Sequence, residues 1–334
     1  MNRIISGVTP SGYGSLHIGN YFGSIKQQIE LQAEGEAFFF VSDLHALTTI
    51  QDKQKLTSNI ENLILNYLSL GIDPNKCTFF RQSDVSYHTD FEWILANVTP
   101  LGEIKRMHAF KDKLQKGVSA DDISLGLFSY PVLMAADILI YKANIVPVGE
   151  DQRQHIEITK DIAKIFNKRF GEILVIPEAK ISKENGVIKG TDGQRKMSKS
   201  IGNIIGIFDS EEIITKQIMS TVTDTTRIKP TDPGHIENNV IFTYHDLLND
   251  DKDLVKDLKQ RYIEGKVGDV EVKKLLIEAH LRYFKNARNR RKELENNPPL
   301  VKDILEKGAQ NARSNASITI NQVREAVGLV TKYN

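Results

Sequence analysis

Sulfur and net charge are what this chain has least of. Its 334 residues include a single cysteine, Cys77, so no internal disulfide can form and no multi-cysteine zinc or iron–sulfur centre can be built. Forty-four Lys and Arg nearly cancel 43 Asp and Glu, for a net charge of +1. No global field draws the chain to nucleic acid, and any such footprint has to be local. Long apolar runs are missing as well. The longest, LFSYPVLMAADILIYKANIVPVG at 127–149, is broken by Pro131, Asp137, Lys142 and Pro147, whereas a membrane span needs about 20 largely apolar residues. It reads as buried protein. The opening MNRIISGVTPSGYGS has too short an apolar stretch for a signal peptide. A soluble, cytoplasmic protein with no membrane contact is the expectation. The histidines show no metal-ligand spacing, and no nucleophile elbow or Cys–His arrangement is visible.

What is present is an ordinary globular balance, 40% apolar and 26% charged, with length enough for two domains. RIISGV reads as a strand, followed by a glycine-rich turn and a helix from about Ile18 to Ala33. EAFFFVSDLHAL reads as a second strand, Asp52 to Leu70 as a helix stopped by Gly71, and CTFFRQ as a third strand. A further strand ends at Gly149. Three polar residues then open a helix whose Ile156, Thr159, Ile162, Ala163, Phe166 and Phe170 share one side, with Gly171 as its stop. This alternation predicts an α/β fold, a Rossmann-like parallel sheet covered by helices, followed by an all-α C-terminal domain. The texture changes near 205–210. We therefore expect a catalytic domain over 1–207 and a helical domain over 208–334, the last helix packing back on the first domain. EVKKLLIEAHLRYFKNARNRRKELE reads as one helix carrying the densest basic cluster, Lys285, Arg288, Arg290, Arg291 and Lys292. Such a cluster is either a solvated face or a phosphate contact.

Ligands of open parallel sheets bind beyond the carboxyl ends of strands, which directs attention to the loops at 7–19, 42–46 and 149–152. TPSGYGSLHIGNYFG, at 9–23, runs from a strand end through glycines into a helix start, where free N–H groups can meet phosphate and His17 can donate to a phosphate oxygen. It matches neither the P-loop nor the dinucleotide fingerprint. GTDGQRKMSKSIGN, at 190–203, sets Lys196 and Lys199 with the hydroxyls of Ser198 and Ser200 around an apolar Met197, between glycines that permit movement. That is either a solvated loop or a clamp for a polyphosphate. Asp137 lies in an apolar segment; it is a cap, an internal salt bridge, or an acceptor for a ligand N–H in an apolar pocket. Glu150, Asp151 and Gln152 either satisfy a helix dipole or hold ribose hydroxyls or Mg2+ near phosphates.

Taken together and in order, HIGN and KMSKS resemble the two signatures of class I aminoacyl-tRNA synthetases. Asn20 in place of a final His, with GNYFG following, resembles the tryptophanyl branch, as does the long segment 130–171. GIDP at 71–74, GEIKRMHAFKDK at 102–113 and VTD at 222–224 extend the likeness over most of the chain. The resemblance implies contacts to ATP from Thr9, Pro10, Ser11, Gly19 and Asn20, and from Gly149, Glu150 and Asp151. Lys196, Met197, Ser198, Lys199 and Ser200 would embrace the phosphates, Val187 would touch the adenine side, and Lys113 would join the phosphate contacts. Lys196, Lys199, Lys113 and His17 form the implied catalytic set. Asp137 would accept the indole N–H of L-tryptophan, with Tyr130, Met134, His45 and Gln152 around the substrate. Mg2+ would accompany ATP, and no protein-bound metal is implied. The implied partners are tRNA(Trp), read at its anticodon by the helical domain, and a second copy of the chain, in a homodimer through residues 78–130. The implied reaction forms tryptophanyl-adenylate and pyrophosphate, then transfers tryptophan to the 3′-terminal ribose of tRNA. Two features depart from the family pattern and bear on the contacts of residues 9–16: Thr9 stands where many relatives carry Gln, and the turn is about two residues longer. A tyrosyl-type synthetase shares this architecture, and a non-catalytic paralogue that binds tRNA or senses tryptophan is the alternative outside enzymes.

Overall fold

The computed structural model describes residues 2–10, 16–117, 119, 122–181, 188–229 and 231–332, without the side chains of residues 109 and 113. The chain forms two compact units. One comprises Met1–Tyr13, Gln27–Lys183 and Asn297–Asn334, the other Gly14–Lys26 and Glu184–Asn296.

The first unit is built on five parallel strands: β1 (Arg3–Val8), β2 (Glu36–Val41), β3 (Cys77–Arg81), β4 (Ile145–Val148) and β5 (Glu178–Ile181), in the order β3-β2-β1-β4-β5. The α/β expectation holds. β2 is buried over nearly its whole length, the Phe38–Phe40 run included, as a strand covered on both faces must be. It ends at Val41, short of the longer strand expected. Asp43–Ala46 is helical instead, because the Asp43 carboxylate accepts the N–H groups of Leu44 and Ser83 and competes for the local backbone. β5 has no counterpart among the strands expected from the sequence. It is an edge strand with no fully buried residue, so it lacks the apolar run that marks the others.

Helix signals in this unit are local and readable. Asp52 caps Lys53–Leu70 by accepting from Lys55 N–H at 2.7 Å, and Gly71, at φ 121°, stops it. Arg153–Phe170 buries Ile156, Thr159, Ile162, Ala163 and Phe166, the face expected. The final helix, Pro298–Ala326, adds Ala309, Ala312, Ala316, Ile320 and Val323 to the core that holds Phe38, Phe40 and Phe80. Its approach to β3 needs a glycine: a Cβ on Gly308 would stand 1.8 Å from the Phe79 carbonyl oxygen. Asn311 donates to Thr78 Oγ1 at 2.6 Å, and Arg313 to the Asp84 carbonyl at 2.8 Å.

The second unit is mostly helical, with Glu211–Met219, Val240–Leu248, Lys252–Ile263, Asp269–Tyr283 and Lys285–Glu295. The single helix expected from Ile18 is interrupted: Ile18–Asn20 leads into a π turn over Tyr21–Ile25, closed by Lys26 N–H on the Tyr21 carbonyl, before Lys26–Leu31. The basic helix is also two helices rather than one. Phe284 breaks it at ψ 9° and is buried, its ring edge-on to Tyr21 at 5.2 Å. Burial of the ring outweighs continuation of the helix.

Candidate functional site

The carboxyl ends of the strands gather the polar groups of the first unit. β1 pairs with β2 on one side and β4 on the other, so the strand order reverses between β1 and β4, where open α/β sheets bind ligands. Thr9 and Pro10 follow β1, and the Thr9 hydroxyl lies 3.2 Å from that of Ser42 beyond β2. Gly149–Asp151 follow β4. The Asp151 carboxylate folds back over Gly149, where a Cβ would stand 2.5 Å from its Oδ1. Glu150 is exposed and held by Arg153 in a two-pronged pair at 2.6 and 2.9 Å, which draws its carboxyl below the usual range. Asp151 accepts from Gln152 Nε2 at 3.0 Å.

Tyr130, Met134 and Asp137 lie on Leu125–Leu139 at spacings of four and three, which is one face of a helix. Asp137 is buried but not alone. Gln82 Nε2 donates to both its oxygens, at 2.9 and 2.8 Å, and His88 Nδ1 stands 2.5 Å from Oδ1. The sequence left an internal pairing and a ligand acceptor open for this carboxylate; the structure supplies the internal partners. The Tyr130 ring packs edge-on against His45 at 4.7 Å, and its hydroxyl bonds His155 Nε2 at 2.7 Å. Burial lowers the His155 imidazole to about 4, so it is neutral at pH 7. The His45 backbone N–H donates to Gln82 Oε1 at 3.2 Å. Nothing local in the sequence marks Gln82, His88 and His155; they meet Asp137 and Tyr130 only through the packing of helices on the sheet.

In the second unit the two lysine- and histidine-bearing motifs come together. Ile18 N–H donates to the Ile205 carbonyl at 3.0 Å and Ile207 N–H to the Leu16 carbonyl at 2.9 Å, an antiparallel pairing centred on His17 and Gly206. Gly19 backs onto Met197, where a Cβ would stand 3.1 Å from the Met197 Cβ. Met197 is buried between its polar neighbours, as an anchor would be. The imidazole of His17 is lowered to about 4, by burial first and then by Lys199 and Lys196. It is neutral at pH 7, and its buried Nδ1 has no hydrogen-bond partner among the described residues. Asn20 Oδ1 accepts the His17 N–H at 3.3 Å.

The loop around Lys196 is a built structure. Met197 N–H bonds the Ile188 carbonyl at 2.9 Å and Gly190 N–H the Arg195 carbonyl at 2.8 Å, which forms a hairpin. Asn203 locks it: Oδ1 accepts Ser198 N–H at 2.7 Å, while Nδ2 donates to Asp192 at 3.0 Å and to the Lys196 carbonyl at 3.2 Å. The Ser198 and Ser200 hydroxyls are 3.0 Å apart. Lys196 is exposed and Lys199 half-buried, where burial pulls its ammonium below the usual range against the opposing charge of Asp209. The glycines read as permitting movement have static reasons to be there: Gly193 and Gly202 sit at φ 70° and 78°, and Gly190 makes room for Asn203. Ser11 and Val187 lie outside the described residues. Lys113 falls on the helix His108–Gln115, its side chain likewise undescribed.

Comparison with known proteins decides the family. The model of the class I tRNA synthetases (W and Y) matches residues 1–285. The chain belongs to that family. This class I synthetase is 44% identical over 331 residues to the tryptophan–tRNA ligase of Fusobacterium nucleatum, covering 99% of each chain. It is 46% identical over 327 residues to that of Campylobacter jejuni, covering 98% of this chain and all of the other. The crystal structure of tryptophanyl-tRNA synthetase from Campylobacter jejuni complexed with ADP and tryptophan superposes on the synthetase with a TM-score of 0.90, at 46% identity, over 98% of this chain and 99% of that one. No described helix is long and apolar enough to cross a membrane.

Much of the synthetase's basic cluster is engaged internally. Arg288 donates to the carbonyls of Ile207 and Asp209, both at 2.8 Å, and Arg291 stacks over Phe208 at 4.9 Å while pairing with Glu295 at 2.7 Å. Arg290 pairs with Glu293 at 3.1 Å. Lys285 and Lys292 are exposed.

Proposed function

We propose that the chain is a tryptophan–tRNA ligase. The tryptophan carboxylate attacks the α-phosphorus of ATP in line and displaces pyrophosphate, giving tryptophanyl-adenylate. The 2′-hydroxyl of the 3′-terminal ribose of tRNA(Trp) then attacks the activated carbonyl and releases AMP. No protein nucleophile takes part; alignment and charge stabilisation carry the rate. The observation that carries this reading is the pairing of the two signature segments around His17 and Met197, with Lys196 and Lys199 beside a neutral imidazole.

Each group then has a task. Thr9, Pro10, Ser11, Gly19, Asn20, Gly149, Glu150, Asp151 and Val187 bind the nucleotide. Lys196, Lys199 and Lys113, with Met197, Ser198 and Ser200, neutralise charge on the phosphates, and His17 donates a hydrogen bond there. Asp137 accepts the indole N–H, with Tyr130, Met134, His45 and Gln152 around the amino acid. Among the described residues no cluster of three or more His, Cys, Asp or Glu could hold a metal ion. This donor set suits Mg2+ arriving on the phosphates, as MgATP, since that ion keeps water and phosphate oxygens in preference to a protein cage.

The helices of 208–334 are assigned to the tRNA anticodon, in a cytoplasmic enzyme. A homodimer through residues 78–130 is supported by Trp93, Leu101 and Leu125, exposed at 74, 59 and 78%. Trp93 is the chain's one tryptophan, so its fluorescence on dilution reports the association; a spectrum independent of concentration, with a monomer mass in sedimentation, removes the dimer. The reaction itself is tested by ATP–pyrophosphate exchange, with tryptophan and then tyrosine. Exchange only with tryptophan is expected. Exchange with tyrosine instead would make it a tyrosyl enzyme, and none with either would leave a binding paralogue.

A further inference from the structure

Three fully buried side chains near Asp137 have no task in the reaction above: Gln82, His88 and Tyr141. They form a single chain of hydrogen bonds whose direction can be deduced. An ionised carboxylate only accepts, so Gln82 Nε2 and His88 Nδ1 both carry the protons they share with Asp137. Gln82 Oε1 is thereby free to accept the His45 N–H, which it does. His88 Nε2 is 2.9 Å from the Tyr141 hydroxyl. Burial first, and then the charge of Asp137, push that phenol well above its ordinary range. It stays protonated and donates to Nε2, which fixes the tautomer with the proton on Nδ1. Every proton in the set points toward Asp137.

The count of lone pairs then matters. A carboxylate has about four acceptor sites, two on each oxygen. Among the described residues Oδ1 takes Gln82 and His88, whereas Oδ2 takes Gln82 alone, which leaves one acceptor site. We propose that His88 and Gln82 are positioning residues that hold Asp137 with a single acceptor open, so that the pocket selects a ring bearing one N–H donor. Tyr141 acts one step further back, by fixing the His88 tautomer. The assignment rests on the reading of Asp137 as the acceptor of the tryptophan indole.

The test compares tryptophan with β-(benzothiophen-3-yl)alanine, in which sulfur replaces the indole N–H, by kcat/KM in pyrophosphate exchange. A site built to bond an N–H strongly rejects an analogue lacking it, so the wild type should favour tryptophan by a large factor. His88→Leu and Gln82→Leu each delete a donor at Asp137, so the decision does not hang on one of them folding. Each should shrink that preference by about tenfold or more, mostly through KM for the amino acid, with KM for ATP within about twofold of wild type. His88→Asn keeps a donor near the Nδ1 position and should restore most of the preference. A merely structural role would lower kcat/KM for both amino acids in parallel, and an unchanged ratio in either leucine variant overturns the proposal. The two readings fail separately. A wild type that activates neither amino acid removes the tryptophan reading, whereas one that prefers tryptophan beside variants that keep the preference removes only the positioning role.

Discussion

Asn203 fills the space that a side chain on Gly190 would need: a Cβ there would stand 2.1 Å from the Asn203 amide nitrogen. The same amide holds Ser198, Asp192 and Lys196 in one geometry. The shape of the lysine loop therefore depends on a residue outside the groups assigned to the phosphates. Asn203→Ala removes its part-buried bonds to the Ser198 N–H and the Lys196 carbonyl, each worth about 0.5–1.5 kcal/mol net. We expect exchange to slow at least about tenfold in kcat with KM for tryptophan little changed, and Gly190→Ala to behave alike. Wild-type kcat in both would show that the loop needs no such lock.

Lys199 is expected to act on charge at the phosphates. Removing one stabilising donor typically costs about 10²–10³ in rate, so Lys199→Ala should slow adenylate formation by that order. Tryptophan binding measured by calorimetry should persist. An unimpaired exchange rate would refute the clamp.

His17, lowered to about 4, is neutral throughout the range from pH 5 to 8. Its hydrogen-bonding role should therefore not titrate there. The pH profile of exchange should lack an inflection near pH 6.5 that disappears in His17→Asn; finding one would mean that His17 is protonated in the working enzyme.

Stability should fall with acid for a related reason. His17, His155 and His280 are each lowered to about 4, burial being the first cause in all three. The unfolded chain binds these protons near pH 6.5 and the folded chain does not, so the stabilisation present above pH 6.5 is lost as pH falls toward 4. The loss is on the order of 3 kcal/mol per histidine. Denaturant unfolding at pH 7.5 and 4 measures it, and His280→Phe should flatten the dependence. A stability independent of pH over this window would contradict the buried neutral state.

The basic cluster should divide into two roles. Arg288 braces the carbonyls of Ile207 and Asp209, so Arg288→Gln should lower the melting temperature. Lys285→Gln with Lys292→Gln should leave it alone and reduce the salt dependence of tRNA binding, by about one in slope per lysine. Equal salt slopes would place tRNA contacts elsewhere.

The sequence showed the elements whose signals are local. The buried Phe38–Phe40 strand, the cap at Asp52, the stops at Gly71 and Gly171 and the amphipathic Arg153–Phe170 helix all follow from neighbouring residues. Edge strand β5 carries no such signal, and neither does the break at Phe284, which depends on Tyr21, more than two hundred residues away in the chain. Motif chemistry was legible in kind, because lysines and hydroxyls at fixed spacing suit phosphate wherever they lie. Asp137 was legible as an anomaly, being a carboxylate in an apolar run.

By itself, then, the sequence determined the sheet-and-helix alternation, the two signature segments and the residue types offered to each ligand, since these depend on spacing along the chain. Only the tertiary structure decided that residues 16–18 pair with 205–207, that Asn203 sets the lysine loop, and that Asp137 is met by Gln82 and His88. Hydrogen bonds form between groups adjacent in space, and burial fixes which of them must be satisfied. Neither adjacency nor burial across such distances is written in local sequence.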